Sequence, residues 1–312
     1  MARLPCPSRT PRLLAATVAL ALAGCLPELP DERRIDDLRV LAIQQSPAVL
    51  PLGPGAAGQV TLRALTVDPD DAAGEGTDHT WTLDLDDDVD GVEQLRQLVP
   101  TEPHGPDLAL DLAPLVGSDV SALPFRYVVD NGAREREALR LLLADPGSVD
   151  PLPGDDGNPR LARLEVDDRS WGPEDLPTDG RPLEIGEVED GEGIVIKIAV
   201  AGGANPATTQ ATLFWTRGCP GLPELFDVSD ADSEACPDSL IDSVAGDSAD
   251  AYATFYGVED PDDAPRRQFG WFPWRDAPDR ETRLFLVLLD EAGGQSWLEL
   301  LPREPERVPP GL

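Results

Sequence analysis

Alternation of apolar and polar residues with a period of two most strongly limits how this chain can fold. In residues 59–67 two sets of side chains alternate: Val60, Leu62 and Ala64 on one face, and Thr61, Arg63 and Leu65 on the other. Successive side chains of a β-strand point to opposite faces of a sheet. The segment is therefore predicted to be a strand that buries one face and leaves the other in solvent.

The same period recurs along the chain, between segments rich in Pro, Gly and Asp. We predict strands in residues 38–43, 59–67, 79–85, 107–112, 125–129 and 137–143, and again in residues 161–166, 193–200, 211–215, 251–256, 282–289 and 296–301. Asp130, Asn131 and Gly132 predict a hairpin turn, because Asn and Gly readily adopt the backbone angles of tight turns. Many short strands separated by turns predict an all-β fold of β-sandwiches.

A segment rich in Pro and Gly divides the chain into two parts. Residues 146–159 hold four Pro and three Gly, a composition typical of a linker. We therefore expect one β-sandwich domain in residues 37–145 and a second in residues 160–302. The charged, Pro-rich residues 303–312 are predicted to be a disordered tail.

The N-terminal segment has the parts of a secretory signal peptide. Arg3, Arg9 and Arg12 supply positive charge, and no acidic residue lies among them. Residues 13–23 form an almost unbroken apolar run, which is too short to span a bilayer as a helix. Residues 1–24 are therefore predicted to be a signal peptide that is removed during export.

The apolar run ends in a sequence that resembles the lipobox of bacterial lipoproteins, Leu22-Ala23-Gly24-Cys25. This resemblance implies that Cys25 becomes the first residue of the mature chain and carries lipid, followed by a tether in residues 25–36. The acyl chains would make the membrane a partner of the protein. Leu26 follows the cysteine where an inner-membrane retention signal has Asp, so the resemblance favours the outer membrane. Ordinary cleavage with an incidental cysteine is the alternative.

The charge of the chain excludes one class of partner. There are 59 acidic and 25 basic residues, with a formal net charge of −34. Proteins that bind nucleic acid use a basic surface to neutralise phosphates, and this chain lacks one. The acidity either maintains solubility or serves divalent cations.

The remaining cysteines predict a disulfide. Cys6 leaves with the signal peptide and Cys25 takes lipid, so Cys219 and Cys236 remain in a compartment that permits disulfides. Closing their loop would stabilise the fold by roughly 3 kcal/mol. A zinc site with two cysteine ligands is the alternative, although no histidine lies near them.

One acidic run fits part of a calcium-binding loop. Asp86, Asp88 and Asp90 stand at alternate positions and Gly91 follows, which matches positions one, three, five and six of such a loop. Gln97 occupies the place of the usual bidentate Glu. We expect no cofactor, with calcium considered for this loop and a solvated acidic turn as the alternative.

An aromatic run forms a second candidate ligand site. Trp271, Phe272 and Trp274 lie close together, interrupted by Pro273. Exposed tryptophans stack on sugar rings, so we consider a carbohydrate site here. The alternative is that these rings close one end of the second sandwich.

Taken together, the chain resembles the predicted lipoproteins of myxobacteria and their relatives, which pair a lipobox with Ig-like β-sandwich domains. The stretches that carry this resemblance are residues 38–43, 60–70, 214–236 and 293–297. The resemblance implies two Ig-like domains and an envelope location, and it brings no known activity. The antibody pattern of two cysteines around a core tryptophan is absent, so Ig-like here describes architecture only.

The sequence shows no convincing catalytic site. Motifs of nucleophilic hydrolases, zinc proteases and phosphate-binding loops are absent, and the only histidines, His79 and His104, have no partner spacing. We expect a non-enzymatic outer-membrane lipoprotein that binds an envelope protein or polysaccharide, or serves as a scaffold. The alternatives are a secreted carbohydrate-binding or carbohydrate-active protein and a calcium-dependent adhesion module.

Overall fold

A computed structural model describes residues 35–71, 76–84, 96–99, 105–149, 156–178, 180–188, 194–203, 209–220, 254–256, 267–272 and 281–303. For residues 219–220, 254–256 and 267–272 it describes the backbone. No helix in these ranges is long and apolar enough to cross a membrane.

Strands dominate both halves of the chain. The first half contains β1 (Arg39–Ser46), β2 (Leu50–Pro51), β3 (Gln59–Val67), β4 (Asp78–Leu83), β5 (Asp107–Asp111), β6 (Ala122–Asp130) and β7 (Glu135–Asp145). A short 3-10 helix, Ala113–Leu115, follows β5. The second half contains β8 (Pro159–Val166), β9 (Arg169–Trp171), β10 (Leu183–Glu187), β11 (Ile194–Gly202), β12 (Gln210–Trp215), β13 (Cys219–Pro220), β14 (Thr254–Tyr256), β15 (Arg267–Phe272), β16 (Leu284–Leu289) and β17 (Gln295–Arg303).

The first-half strands form two sheets, in the orders β1-β3-β5 and β2-β7-β6-β4. The first two strands belong to different sheets. Strand β1 pairs antiparallel with β3, and β2 pairs parallel with β7, the last strand of this half. The hairpin β6–β7 turns at Asn131, whose amide donates to the Arg134 carbonyl oxygen at 3.1 Å. The predicted hairpin is therefore confirmed.

The second-half strands repeat this plan. Their sheets have the orders β13-β15-β11-β8-β9 and β10-β17-β16-β12-β14. Again an early strand, β8, pairs antiparallel across its sheet with β11, while β10 pairs parallel with the last strand, β17. Two sheets connected by such crossovers are the architecture of Ig-like sandwiches, so the predicted all-β, Ig-like fold class is confirmed.

Each sandwich has its own apolar core, made by the alternate side chains that point inward. In the first, the largest fully buried residues include Phe125 and Tyr127, which pack with Trp81. In the second, Ile196, Leu284 and other aliphatic residues fill the space between the sheets. The described parts of both sandwiches lie within one compact unit, Arg33–Leu312.

A third apolar cluster joins the two sandwiches. It consists of Ile35, Ala42, Leu65, Val67, Phe285 and Val287, with Leu41, Phe214 and Trp297 packed against it. Leu65 and Val67 lie on the face of β3 that the sequence predicted to be in solvent. That prediction is wrong at these positions, because β16 of the second sandwich covers them with Phe285 and Val287. We call this cluster the junction.

Polar contacts fix the junction as well. The Ile43 amide donates to Gln295 Oε1 at 2.8 Å, and the Gln295 amide donates to Asn158 Oδ1 at 3.0 Å. Asn158 Nδ2 in turn donates to the Gln45 carbonyl oxygen at 2.8 Å. Asp156 and Asn158, near the end of the predicted linker, are therefore hydrogen-bonded to the first sandwich, and Asn158 is bonded to both sandwiches.

Ile35 and Asp36, the last two residues of the predicted tether, lie in the described part of the chain. Ile35 is fully buried in the junction, and its amide donates to the Trp215 carbonyl oxygen at 2.7 Å. An isoleucine gains free energy by leaving water, which accounts for this contact. Ile35 is therefore fixed to the second sandwich, and the tether itself stays a prediction.

Candidate functional site

The outer face of the β2-β7-β6-β4 sheet is the candidate site. Strand register places outward-pointing residues in rows across this face: Asp78, Asp130 and Glu135 in the first, Thr80, Val128 and Glu137 in the second, Thr82, Arg126 and Leu139 in the third, Pro124 and Leu141 in the fourth, and Ala122 and Leu143 in the fifth. The first two rows are mostly acidic and the last two are apolar.

The apolar end of this face stands open to solvent. We call Ala122, Pro124, Leu139, Leu141 and Leu143 the leucine face. Leu139 is 66% exposed and Leu141 is 41% exposed, although both lie in the middle of a regular strand. Single exposed leucines are ordinary. Here two lie side by side next to the half-buried Ala122, Pro124 and Leu143, and contiguous apolar area makes this face a candidate interaction surface.

The other end of the face is acidic. Asp78, Asp130 and Glu135 lie in one row across three strands, where like charges oppose one another and reduce stability. Asp84 lies at the end of β4, beside Arg126. This arrangement gives up some folding stability for a concentrated negative charge.

The guanidinium group of Arg126 lies between the acidic end and the apolar end of this face. Arg126 forms an ion pair with Glu137, and the resulting hydrogen bond raises the pKa of Arg126 and lowers the pKa of Glu137. Both groups are exposed, so solvent screens their attraction. Because this pair is neutral as a whole, the three carboxylates of the first row keep the acidic end negative.

Polar contacts on its other side hold β7 in place beneath the leucine face. Arg136 Nε donates to the Leu38 carbonyl oxygen at 3.0 Å, and Arg140 Nη2 donates to the Gly293 carbonyl oxygen. Burial lowers the pKa of Arg140 to about 10, an effect that Asp290 opposes. The leucine face is therefore supported by a fixed strand.

The equivalent face of the second sandwich is covered. There the outward residues of the last two strands and of β12 include Phe285, Val287, Trp297 and Phe214, and all four belong to the junction. The guanidinium of Arg63 also lies 5.3 Å from the ring centre of Trp297, a favourable cation–π distance. Of two sheets with the same place in the fold, one has a partner within the chain and the other presents its leucines to solvent.

A buried hydrogen-bonded group lies behind the site. The Tyr127 hydroxyl contacts Thr66 Oγ1 at 2.9 Å and His79 Nδ1, and its ring lies 4.5 Å from that of Trp81. Burial raises the pKa of Tyr127 to about 12 and lowers the pKa of His79. The tyrosine therefore stays protonated at neutral pH, and these contacts hold the two sheets together.

The described residues test few of the sites predicted from sequence. Cys25, Cys236, Trp274 and the calcium candidates Asp86, Asp88 and Asp90 lie outside them. Lipidation, the disulfide and calcium binding therefore stay predictions. In the part of the chain that the structure describes, no group of three or more His, Cys, Asp or Glu side chains is placed to hold a metal ion.

The remaining candidates have a described backbone. Cys219 lies in β13, and Trp271 and Phe272 lie in β15. Trp271 stands opposite Ile194 in the neighbouring strand, and Phe272 stands opposite Cys219. This aromatic pair therefore belongs to a strand within a sheet rather than to a loop, and the carbohydrate site stays a prediction.

Sequence reasoning missed the leucine face, although a signal was present. In β7 the inward positions include Arg136 and Arg140, whereas the outward positions include Leu139 and Leu141. This inverts the usual rule that the apolar set of a strand faces the core. The predicted hairpin pairs residues 135–143 with β6, and this register would have shown that the arginines of β7 share a face with the core residues of β6, whereas the leucines lie on the opposite face.

Comparisons with known proteins add no argument about fold or function. No known family and no curated protein matches the sequence. Similar solved structures include a chimeric titin Z1Z2 (8% identity, 87% of this chain and 98% of that one, TM-score 0.23) and the Ig1-2 module of the Drosophila receptor protein tyrosine phosphatase DLAR (11%, 86% and 99%, TM-score 0.24). A third is PcdhgB3 EC1-4 (8%, 89% and 51%, TM-score 0.25). With such low TM-scores, the assignment of Ig-like sandwiches rests on strand order and register.

Proposed function

We propose that this chain is a non-enzymatic binding or scaffold module of the cell envelope, anchored by lipid at Cys25, that holds a partner on its leucine face. The observation that carries the proposal is the difference between the two sandwiches. The outer face of the β16–β17 hairpin is buried in the junction, and the outer face of the β6–β7 hairpin is open. An apolar sheet face that stays in water costs solubility unless something binds there.

The chemical groups on the face support binding rather than reaction. Leu139 and Leu141 offer hydrocarbon, and beside them on the acidic side lie carboxylates and the paired Arg126. Protein interfaces combine apolar area with charged groups in this way. Because β7 is already fixed by contacts from beneath, little conformational entropy is lost on binding.

Anchoring would place this face near the membrane. Ile35 is docked against Trp215, so the chain between Cys25 and Ile35 spans at most about 35 Å at ~3.6 Å per residue. The acidic chain, with a net charge of −34, would be repelled by anionic head groups. The leucine face would then meet partners in the space beside the outer membrane.

The test is a comparison of two double variants of the full chain, each recovered from chemically cross-linked envelopes. Leu139→Ser with Leu141→Ser removes the leucines of the site. Val49→Ser with Val149→Ser is the control, because these valines are 40% and 44% exposed and lie in loops. We expect the leucine variant alone to lose its cross-linked partner while keeping its melting temperature. Equal recovery from both variants would refute the proposal.

A further inference from the structure

Resting on the proposed function, we infer that the partner is a protein whose contact surface sets apolar side chains beside a group of Arg or Lys. The outer face favours a partner with both kinds of group, because it has an apolar end and an acidic end. Leu139 and Leu141 occupy adjacent outward positions of β7, and Glu135 and Glu137 precede them on the same side of the same strand. A partner that covers the leucines therefore reaches the carboxylates.

The acidic end lacks compensating charge of its own. On this face the described carboxylates are Asp78, Asp84, Asp130, Glu135 and Glu137, and the cation is Arg126. Arg126 is engaged by Glu137. The row of Asp78, Asp130 and Glu135 thus faces solvent with three negative charges, and cations from a partner would relieve their mutual repulsion.

The chemistry of the face also disfavours other kinds of ligand. A metal ion would need converging ligands, and no such group of His, Cys, Asp or Glu lies among the described residues. A second copy of this chain would bring together two molecules with a formal net charge of −34 each, which repel one another. A glycan would need polar groups or aromatic rings where Ala122, Pro124 and Leu141 offer hydrocarbon.

The spacing of the face sets the size of the partner's contact. From Glu135 to Leu143 in β7 is eight residues, which at ~3.4 Å per residue is about 27 Å. This length suits a compact protein surface with its apolar part at one end and its cations at the other. Salt would weaken the cationic end and leave the apolar end unaffected.

The experiment is site-specific photo-crosslinking of the full chain in the cell that produces it. Leu139 is replaced by p-benzoylphenylalanine, and the same group at Glu184, an exposed position in the second sandwich, is the control. The crosslinked peptide is identified by mass spectrometry. The measurement is repeated with Asp78→Asn, Asp130→Asn and Glu135→Gln together. A matched triple, Asp119→Asn, Asp168→Asn and Glu187→Gln, neutralises exposed acids elsewhere.

We expect a protein crosslink at Leu139 whose peptide carries Arg or Lys beside apolar residues. Its yield should fall roughly tenfold in the first triple variant and stay unchanged in the matched triple. The first variant should also melt no lower than the unmodified chain, because like charges have been removed.

Each other outcome overturns the inference in a recognisable way. A protein crosslink that ignores the triple variant, a crosslinked glycan or a second copy of this chain would each refute the inference and leave a binding role for the face. No product at Leu139 beyond that at Glu184 would refute the proposed function together with the inference.

Discussion

The side-chain amide of Gln45 makes both backbone hydrogen bonds of Leu143. Its Nε2 donates to the Leu143 carbonyl oxygen at 2.8 Å, and its Oε1 accepts from the Leu143 amide at 2.9 Å. Gln45 is fully buried, and it stands where a neighbouring strand would otherwise pair. Gln45 therefore connects β1 to β7 next to the leucine face.

Replacing Gln45 by Leu should destabilise the protein by about 2–4 kcal/mol. The substitution leaves a backbone amide and a carbonyl of Leu143 without partners, and each such buried group costs ~1–3 kcal/mol. Urea unfolding measures the change. Gln59→Leu, at an exposed position of β3, is the control and should stay within ~0.5 kcal/mol of the parent. Equal effects of the two changes would show that the two hydrogen bonds between Gln45 and Leu143 contribute nothing to stability.

Phe285→Ala should lower the stability of both sandwiches. Phe285 is fully buried in the junction, so its truncation should cost about 3–5 kcal/mol. If the junction couples the sandwiches, amide hydrogen exchange should speed up in β3 as well as in β16.

The neighbouring Leu286→Ala is the matched change, because Leu286 is equally buried but belongs to the core of the second sandwich. Its effect on exchange should be confined more closely to the second sandwich. Faster exchange in β16 alone for Phe285→Ala would mean that the sandwiches open independently.

His79 should make the stability depend on pH in mild acid. Burial lowers its pKa in the folded chain below 6.5, so the unfolded chain binds the proton more readily. Stability is then complete above about pH 6.5 and is lost as the pH falls through the folded-state pKa. Melting temperatures at pH 7.5 and 5.5 should differ less in His79→Gln than in the parent. An unchanged difference in His79→Gln would assign the dependence to other groups.

Cys25→Ser should release the protein from the membrane. If Cys25 carries lipid, the parent partitions into the detergent phase of a Triton X-114 separation, and the variant moves to the aqueous phase because the acyl chains are gone. Cys6→Ser is the control, since Cys6 is predicted to leave with the signal peptide. Aqueous partitioning of the parent would refute lipid anchoring.

Much of the fold was predictable because strand periodicity is local. Residues 59–67 alternate as β3 does, and the hairpin at Asn131 follows from turn chemistry. Short strands were harder, because β2 and β10 pair parallel with strands far away in the chain. Two to five residues carry too little periodicity to be recognised alone.

The sequence by itself determined the all-β class, the two sandwiches and which residues of each strand share a face, because these follow from a period of two and from turn residues. Only the tertiary structure decided what covers each face. Leu65 and Phe285 are buried against each other's sandwich, whereas Leu139 stays in solvent. The alternation of residues along a strand specifies which side chains share a face of the sheet. It carries no information about which part of the protein, or solvent, covers that face.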